Sequence, residues 1–267
     1  MPAVSAQDVK RLRDATGAGF MDSKRALTEN EGNFEAASDW LRQKGLASSG
    51  KRSGRQNAEG AVALARSEHV AALVELKSET DFVAKAPDFV AMANQLAQVV
   101  ADEGEGVLAA KADAIDDLDD LKVTLKENIE LGRVVRFQAA PGNVLDTYLH
   151  MQNERGKNGV LVELNGGSEE LAHDVAVHIA FARPQYLSRQ DVPASEVEPE
   201  RKLIEVQARE QGKPEQAMAK IIEGRLTGWF KERCLLEQPF VKDEKQTVRQ
   251  VLGDATVARF AQVEIGR

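Results

Sequence analysis

Residues 73–89 read LVELKSETDFVAKAPDF, and the parsing of this stretch decides the fold. Val70, Ala72, Val74 and Leu76 fall on one side of an alternation, with Glu75, Lys77 and Glu79 on the other. That period of two predicts a half-buried strand. At the far end Pro87 suits the first helical position, where no amide donor is needed, and Asp88 suits the positive end of the helix dipole. Phe89, Met92, Ala93, Leu96, Val99 and Val100 then repeat at helical spacing. Between strand and helix stand Thr80, Asp81, Phe82 and Val83. Such joints take about two to six polar or small residues, so Phe82 and Val83 need a reason. Phe82 reads either as a lid folded onto the core or as an exposed apolar anchor for a protein contact.

A second stretch repeats the first. Residues 159–164 read GVLVEL, against AALVEL at 71–76. Each follows a strand and precedes an amphipathic helix, the second helix using Leu171, Val175, Ile179 and Ala182. The shared LVEL and the shared element order predict two related antiparallel strand–strand–helix subdomains. In the second copy the joint is Asn165-Gly166-Gly167-Ser168, ordinary turn and cap chemistry. The same junction is thus made without Thr80-Asp81-Phe82-Val83, which raises the display reading of Phe82 to stand level with the packing one. The first hairpin is expected at 61–66 with a turn at 67–69, and further strands at 133–137 and 144–150. The second copy carries a polar loop, MQNERGKN at 151–158, with His150 at its base; a lone histidine is more often structural than functional.

The first 45 residues read as three short helices. Ser5 and Asp8 have capping-box spacing, Gly17 stops the first helix, and Asn33 caps a third that ends at Gly45. The turn Thr16-Gly17-Ala18-Gly19 delivers Phe20 and Met21, either into the bundle or to its edge for a partner. Residues 47–60, ASSGKRSGRQNAEG, read as a basic flexible linker. An acidic run over 102–120 reads as a solvated face, and Leu118, Leu121, Leu125 and Ile129 mark a helix. Pro184, Pro193 and Pro199 interrupt the chain before a helical hairpin, about 200–211 and 215–233, turned by Gly212-Lys213-Pro214. Thr247, Gln250 and Gly253 frame a short helix, and 256–265 alternates as a strand. The expected division is 1–46 helical module, 47–59 linker, 60–141 first core subdomain and 142–267 second, with the helical hairpin at about 193–233.

Composition narrows the function. The chain has 267 residues, a net charge of −8 and one cysteine. Acidity argues against a general nucleic-acid binder. A lone cysteine permits no intrachain disulfide, and no apolar run is long enough for a membrane span, so a cytoplasmic protein is expected. The chain contains no phosphate-binding glycine–lysine loop. His173 and His178 do not share a helix face. Possible partner contacts without an active site point to a protein that acts by binding, with no cofactor and no metal.

Three stretches carry a resemblance: Thr16-Gly17-Ala18-Gly19-Phe20-Met21-Asp22 with Lys24 to Leu27, Thr80-Asp81-Phe82-Val83-Ala84-Lys85, and Gln238-Pro239-Phe240-Val241. With Gly212-Lys213-Pro214 and Glu223-Gly224-Arg225, the chain resembles the bacterial elongation factor Ts family, guanine-nucleotide exchange factors of elongation factor Tu. The resemblance implies an α+β fold: an N-terminal three-helix, ubiquitin-associated-like (UBA-like) module, then two related sheet-plus-helix subdomains with an inserted helical hairpin. It implies elongation factor Tu as partner, in GDP-bound and nucleotide-free forms. Asp81 and Phe82, flanked by Thr80 and Val83, would push into the partner's nucleotide domain and disturb its Mg²⁺ site. His150 would lie near the partner's phosphate-binding loop, and Phe20 and Met21 would touch another helix. The alternatives are an RNA- or ribosome-binding adaptor that uses Arg52 and Arg55, and an enzyme built on the acidic run and His150.

Overall fold

The computed structural model describes residues 4–50, 52, 54–110 and 112–266, and side chains outside 46–50, 109, 110 and 112–116. The chain begins with α1 (Ala6–Thr16), α2 (Phe20–Glu29) and α3 (Phe34–Gly50). Ser5 caps α1 by accepting the Asp8 N–H, Gly17 ends it with φ 63°, and Asn33 Oδ1 caps α3 at the Ala36 N–H. Val9, Leu12, Ala26, Leu27, Ala37 and Leu41 form the bundle's core.

Two three-stranded antiparallel sheets follow. The first orders β1 (Glu59–Arg66), β2 (Val70–Ser78) and β3 (Glu130–Gln138). Between β2 and β3 come α4 (Asp81–Ala84), α5 (Pro87–Glu103), α6 (Val107–Ala110) and α7 (Ala112–Leu125). The second sheet orders β4 (Asn143–Gln152), β5 (Arg155–Asn165) and, far along the chain, β8 (Thr256–Glu264). Inserted between β5 and β8 are α8 (Glu169–Ala182), the hairpin α9 (Ala194–Glu210) and α10 (Glu215–Arg233), the short strands β6 (Pro239–Phe240) and β7 (Asp243–Thr247), and α11 (Val248–Leu252).

The repeated LVEL segments are the central strands of the two sheets, in the same orientation. Val74 and Leu76 pack on α5 with Phe89, while Val162 and Leu164 pack on α8 with Val175 and Ile179. Leu73 and Leu161 meet in a third core between the sheets, with Leu145 and Val263. The layers therefore run helix, sheet, sheet, helix. Even the glutamates correspond. Buried Glu75 accepts the Arg133 N–H at 2.9 Å. Buried Glu163 accepts the Ala140 N–H and the Asn143 amide and pairs with Arg259 at 2.7 Å. Burial alone would raise the pKa of Glu163, but these donors outweigh it and hold the carboxyl below its usual range.

Several expectations need correction. β2 is buried on both faces, not one, because the second sheet covers the side that carries Leu73 and Glu75. Gly45 does not end α3. A Cβ there would stand 2.5 Å from Val123 Cγ1, so this glycine permits close approach to α7 and the helix runs on to Gly50. The start of the expected linker is thus helical. Ile129 lies beyond α7 and is buried on its own account. The polar loop at 151–158 is strand except for Asn153 and Glu154, both at positive φ, which make a tight two-residue hairpin turn. Pro193 precedes α9 and Pro199 lies within it, so that helix begins six residues before the expected 200. Lys51 of the basic linker, and the side chains of Asp113 and Asp116 in the acidic run, lie outside the described residues.

Candidate partner-binding surface

The segment between β2 and α5 is a single helical turn. Thr80 is its N-cap: the Thr80 Oγ1 accepts the Val83 N–H at 3.3 Å, and the Ala84 N–H reaches the Thr80 carbonyl at 3.2 Å. Ala84 is fully buried against the first core and Val83 packs beside it. With those two residues facing inward, Phe82 faces out and is 74% exposed. The lid reading of Phe82 therefore fails on geometry. Lys85 holds the exposed pair together. Its Nζ lies 3.0 Å from Asp81 Oδ2 and 4.5 Å from the Phe82 ring centroid. The Lys85 hydrogen bond, with smaller help from the charges of Lys85 and Arg155, keeps the Asp81 carboxyl below its usual pKa.

Arg155 ties the second subdomain to the start of β1, where Glu59 pairs with Ser78 beside this turn. It begins β5, donates to the Gly60 carbonyl at 2.9 Å and pairs with Glu59 at 2.8 Å. The β4–β5 turn and the Phe82 turn thus share one end of the core. His150 stands on β4 opposite Asn158, two residues before that strand ends, and is exposed, with Nδ1 3.5 Å from the Tyr148 hydroxyl. Phe20 and Met21 open α2 and are 47% and 72% exposed, outside the bundle core. The expected residues therefore lie on three exposed elements, with Val83 alone turned into the core. The Thr80 to Val83 group forms one unit, while Phe20–Met21 and His150 stand apart from it.

Sequence reading missed Phe181, which is also largely exposed. With His150, Tyr148, Lys157 and Ile265 it lines a cavity of about 440 Å³. The signal was available: Phe181 falls off the apolar stripe of Leu171, Val175 and Ile179, so an aromatic on the outer face of α8 could have been read directly.

Among the described residues no three His, Cys, Asp or Glu side chains gather as a metal site. Cys234 is fully buried, and burial pushes its thiol up to about 11, far from a reactive thiolate. Among the described residues no helix is long and apolar enough to cross a membrane.

Comparison with known proteins places this chain in a family. The profile of the family described as Elongation factor TS matches residues 79–267, beginning one residue before the Phe82 turn. Over its whole length the chain is similar to proteins named Elongation factor Ts. The one from Alkalilimnicola ehrlichii is 44% identical, covering 99% of this chain and 92% of that relative. Those from Acidothermus cellulolyticus and Saccharopolyspora erythraea are each 45% identical, with both chains covered in full. A match over more than half the chain, together with full-length relatives at this identity, shows that the chain belongs to the elongation factor Ts family and is a translation elongation factor.

Proposed function

We propose that this chain binds elongation factor Tu carrying GDP, in the cytoplasm, and promotes GDP release by displacing Mg²⁺ and disturbing the phosphate-binding loop. The observation that carries the reading is Phe82, an exposed aromatic on a capped turn whose inner residues are locked in the core. A rigid apolar prong loses little freedom on docking. Burying it supplies about 1.5–3 kcal/mol, a shift of roughly tenfold to a hundredfold. If the prong fits only the arrangement in which Mg²⁺ and the phosphates are loosened, its binding energy favours that arrangement. GDP must in return weaken this protein's hold by the same factor. Asp81, Thr80 and Val83 shape the prong, while Phe20, Met21 and His150 supply further contacts. Exchange on this reading is an act of binding, with no covalent step.

The adaptor alternative gains no support from the described basic residues. Arg52 donates to the Lys122 carbonyl at 3.0 Å, and Arg55 pairs with Glu79 at 3.5 Å, so both serve the fold.

The test is release of labelled GDP from elongation factor Tu. Phe82→Ala is expected to slow stimulated release roughly tenfold or more with the melting temperature nearly unchanged. Asp81→Ala should have a smaller effect in the same direction. Full stimulation by Phe82→Ala, or a large loss of stability with activity per folded molecule intact, would sink the reading.

A further inference from the structure

We infer that Glu127 is a positioning residue that aims the Phe82 prong, an inference that rests on the exchange function proposed above. Glu127 follows the end of α7, just after Lys126, which takes a left-handed backbone at φ 59°. Its carboxylate reaches across to the exit of β2. Oε2 accepts the N–H groups of Glu79 and Thr80 at 3.0 and 3.1 Å, and Oε1 accepts the Thr80 hydroxyl at 2.6 Å. The pairing of β2 ends at Lys77 on one side and Ser78 on the other. The two amides therefore lie past both ladders, and Glu127 takes the place of a neighbouring strand.

The hydroxyl contact matters most for aim. Thr80 Oγ1 carries one proton and gives it to Glu127. Its lone pairs are then turned toward the Val83 N–H, which they cap. One carboxylate thus fixes where the chain leaves the strand and also secures the cap of the turn that displays Phe82. The link is reciprocal, because Glu79 Oε1 accepts the Asn128 N–H at 2.7 Å. Bonds to an ionised acceptor are about twice as strong as neutral ones, which suits a clamp outside the apolar core.

Glu127→Gln tests this. A glutamine has one acceptor oxygen for three donors, and its NH₂ meets a donor. The expected result is hydrogen exchange about tenfold faster at the Glu79, Thr80 and Val83 amides. Stimulated GDP release should fall about tenfold in kcat/KM, with little change in melting temperature. In a Phe82→Leu background, which keeps part of the prong, the loss due to Glu127→Gln should shrink, because the carboxylate acts through the ring. Unchanged amide exchange, full stimulation, or an equal fold-loss in both backgrounds would overturn the inference. Should Glu127→Gln loosen the end of α7, Thr80→Val leaves that helix untouched while removing the hydroxyl with both its bond to Glu127 and its cap on Val83, and is expected to show the same faster exchange at Val83 and the same dependence on Phe82; its absence counts equally against the inference. Phe82→Ala runs alongside: full activity there defeats the prong reading on which the proposed mechanism rests, whereas its failure beside a fully active Glu127→Gln defeats only the positioning role.

Discussion

His178 shows how much one side chain can fix. It is fully buried on α8, with Nδ1 accepting the Val241 N–H at 3.2 Å and Nε2 facing Gln238 Oε1 at 3.0 Å. Its ring stacks on Phe240 at 5.6 Å. These bonds require the neutral form with the proton on Nε2, since a proton on Nδ1 removes the acceptor for Val241. Beside it Lys242 pairs with Asp174 at 2.5 Å, so the β6–β7 hairpin is pinned to α8 twice. Burial lowers the pKa of His178 below 6.5, with Gln238 pulling weakly the other way. Above about 6.5 the folded and unfolded states are both neutral. As pH falls past that value the unfolded chain takes up the proton first, and stability falls by up to about 1.4 kcal/mol per pH unit until the folded pKa is reached. The melting temperature is therefore expected to decline as pH falls below about 6.5, and His178→Gln should flatten that decline. Asp22, Glu59, Asp81 and Glu163 have depressed pKa values, so their losses come at more acid pH and leave this window to the histidine. An unaltered slope in His178→Gln would remove the assignment.

At the scale of elements, the N-terminal bundle is seated on α7. Gly45 lets α3 approach Val123, Gly17 meets Thr124, and Arg42 pairs with Asp120 at 2.6 Å. We propose that the bundle is a separable module joined to the core through residues 47–59, with two core subdomains at 60–141 and 142–267. Removal of residues 1–50 is then expected to leave both sheets folded and to weaken association with elongation factor Tu about tenfold or more through loss of Phe20 and Met21. Isothermal titration and circular dichroism of the truncated chain check both parts, and unchanged affinity would make the two side chains ornaments of the bundle. Helix ends were legible where a cap announces them, as with Ser5, Asn33, Pro87 and the Thr247–Gln250 box, which the structure closes in both directions. Gly45 misled because a glycine that permits close packing and one that ends a helix are the same letter. Phe82 and Met21 could be marked as odd from sequence, but their exposure depends on which neighbours turn inward. Glu127 could not be found at all, since its partners lie 47 and 48 residues away.

The molecule as a whole is two copies of one idea placed back to back. The sheets can touch because two residues of β5 have no side chain: a Cβ on Gly156 would stand 2.1 Å from the Val62 carbonyl oxygen, and one on Gly159 would stand 2.5 Å from Leu73 Cδ2. The repeat in sequence revealed the two central strands. It did not reveal that both faces of each are covered, because an alternation of Leu with Glu looks the same whether the glutamate meets water or a buried ring of donors. Glu75 and Glu163 are such buried acceptors, and they made a double-sided core read as a single-sided one.

The placement of β8 also sets an order in time. In the first sheet, Glu75 reaches its partner Arg133 across 58 residues; in the second, Glu163 waits for Arg259, 96 residues on. The difference in loop-closure entropy is below about 1 kcal/mol, so equilibrium stability scarcely registers it. A growing chain does. Domains gain structure as they emerge, at roughly 5–20 residues per second, so the first sheet can close while the third strand of the second is still unmade. The half that bears Phe82 should then be native while β5 still has a free edge open to stray pairing. Arrested nascent chains ending near residue 200 are expected to resist protease across 59–138 and to be cut within 143–182. Equal resistance of the two segments would show that the second sheet holds without its last strand.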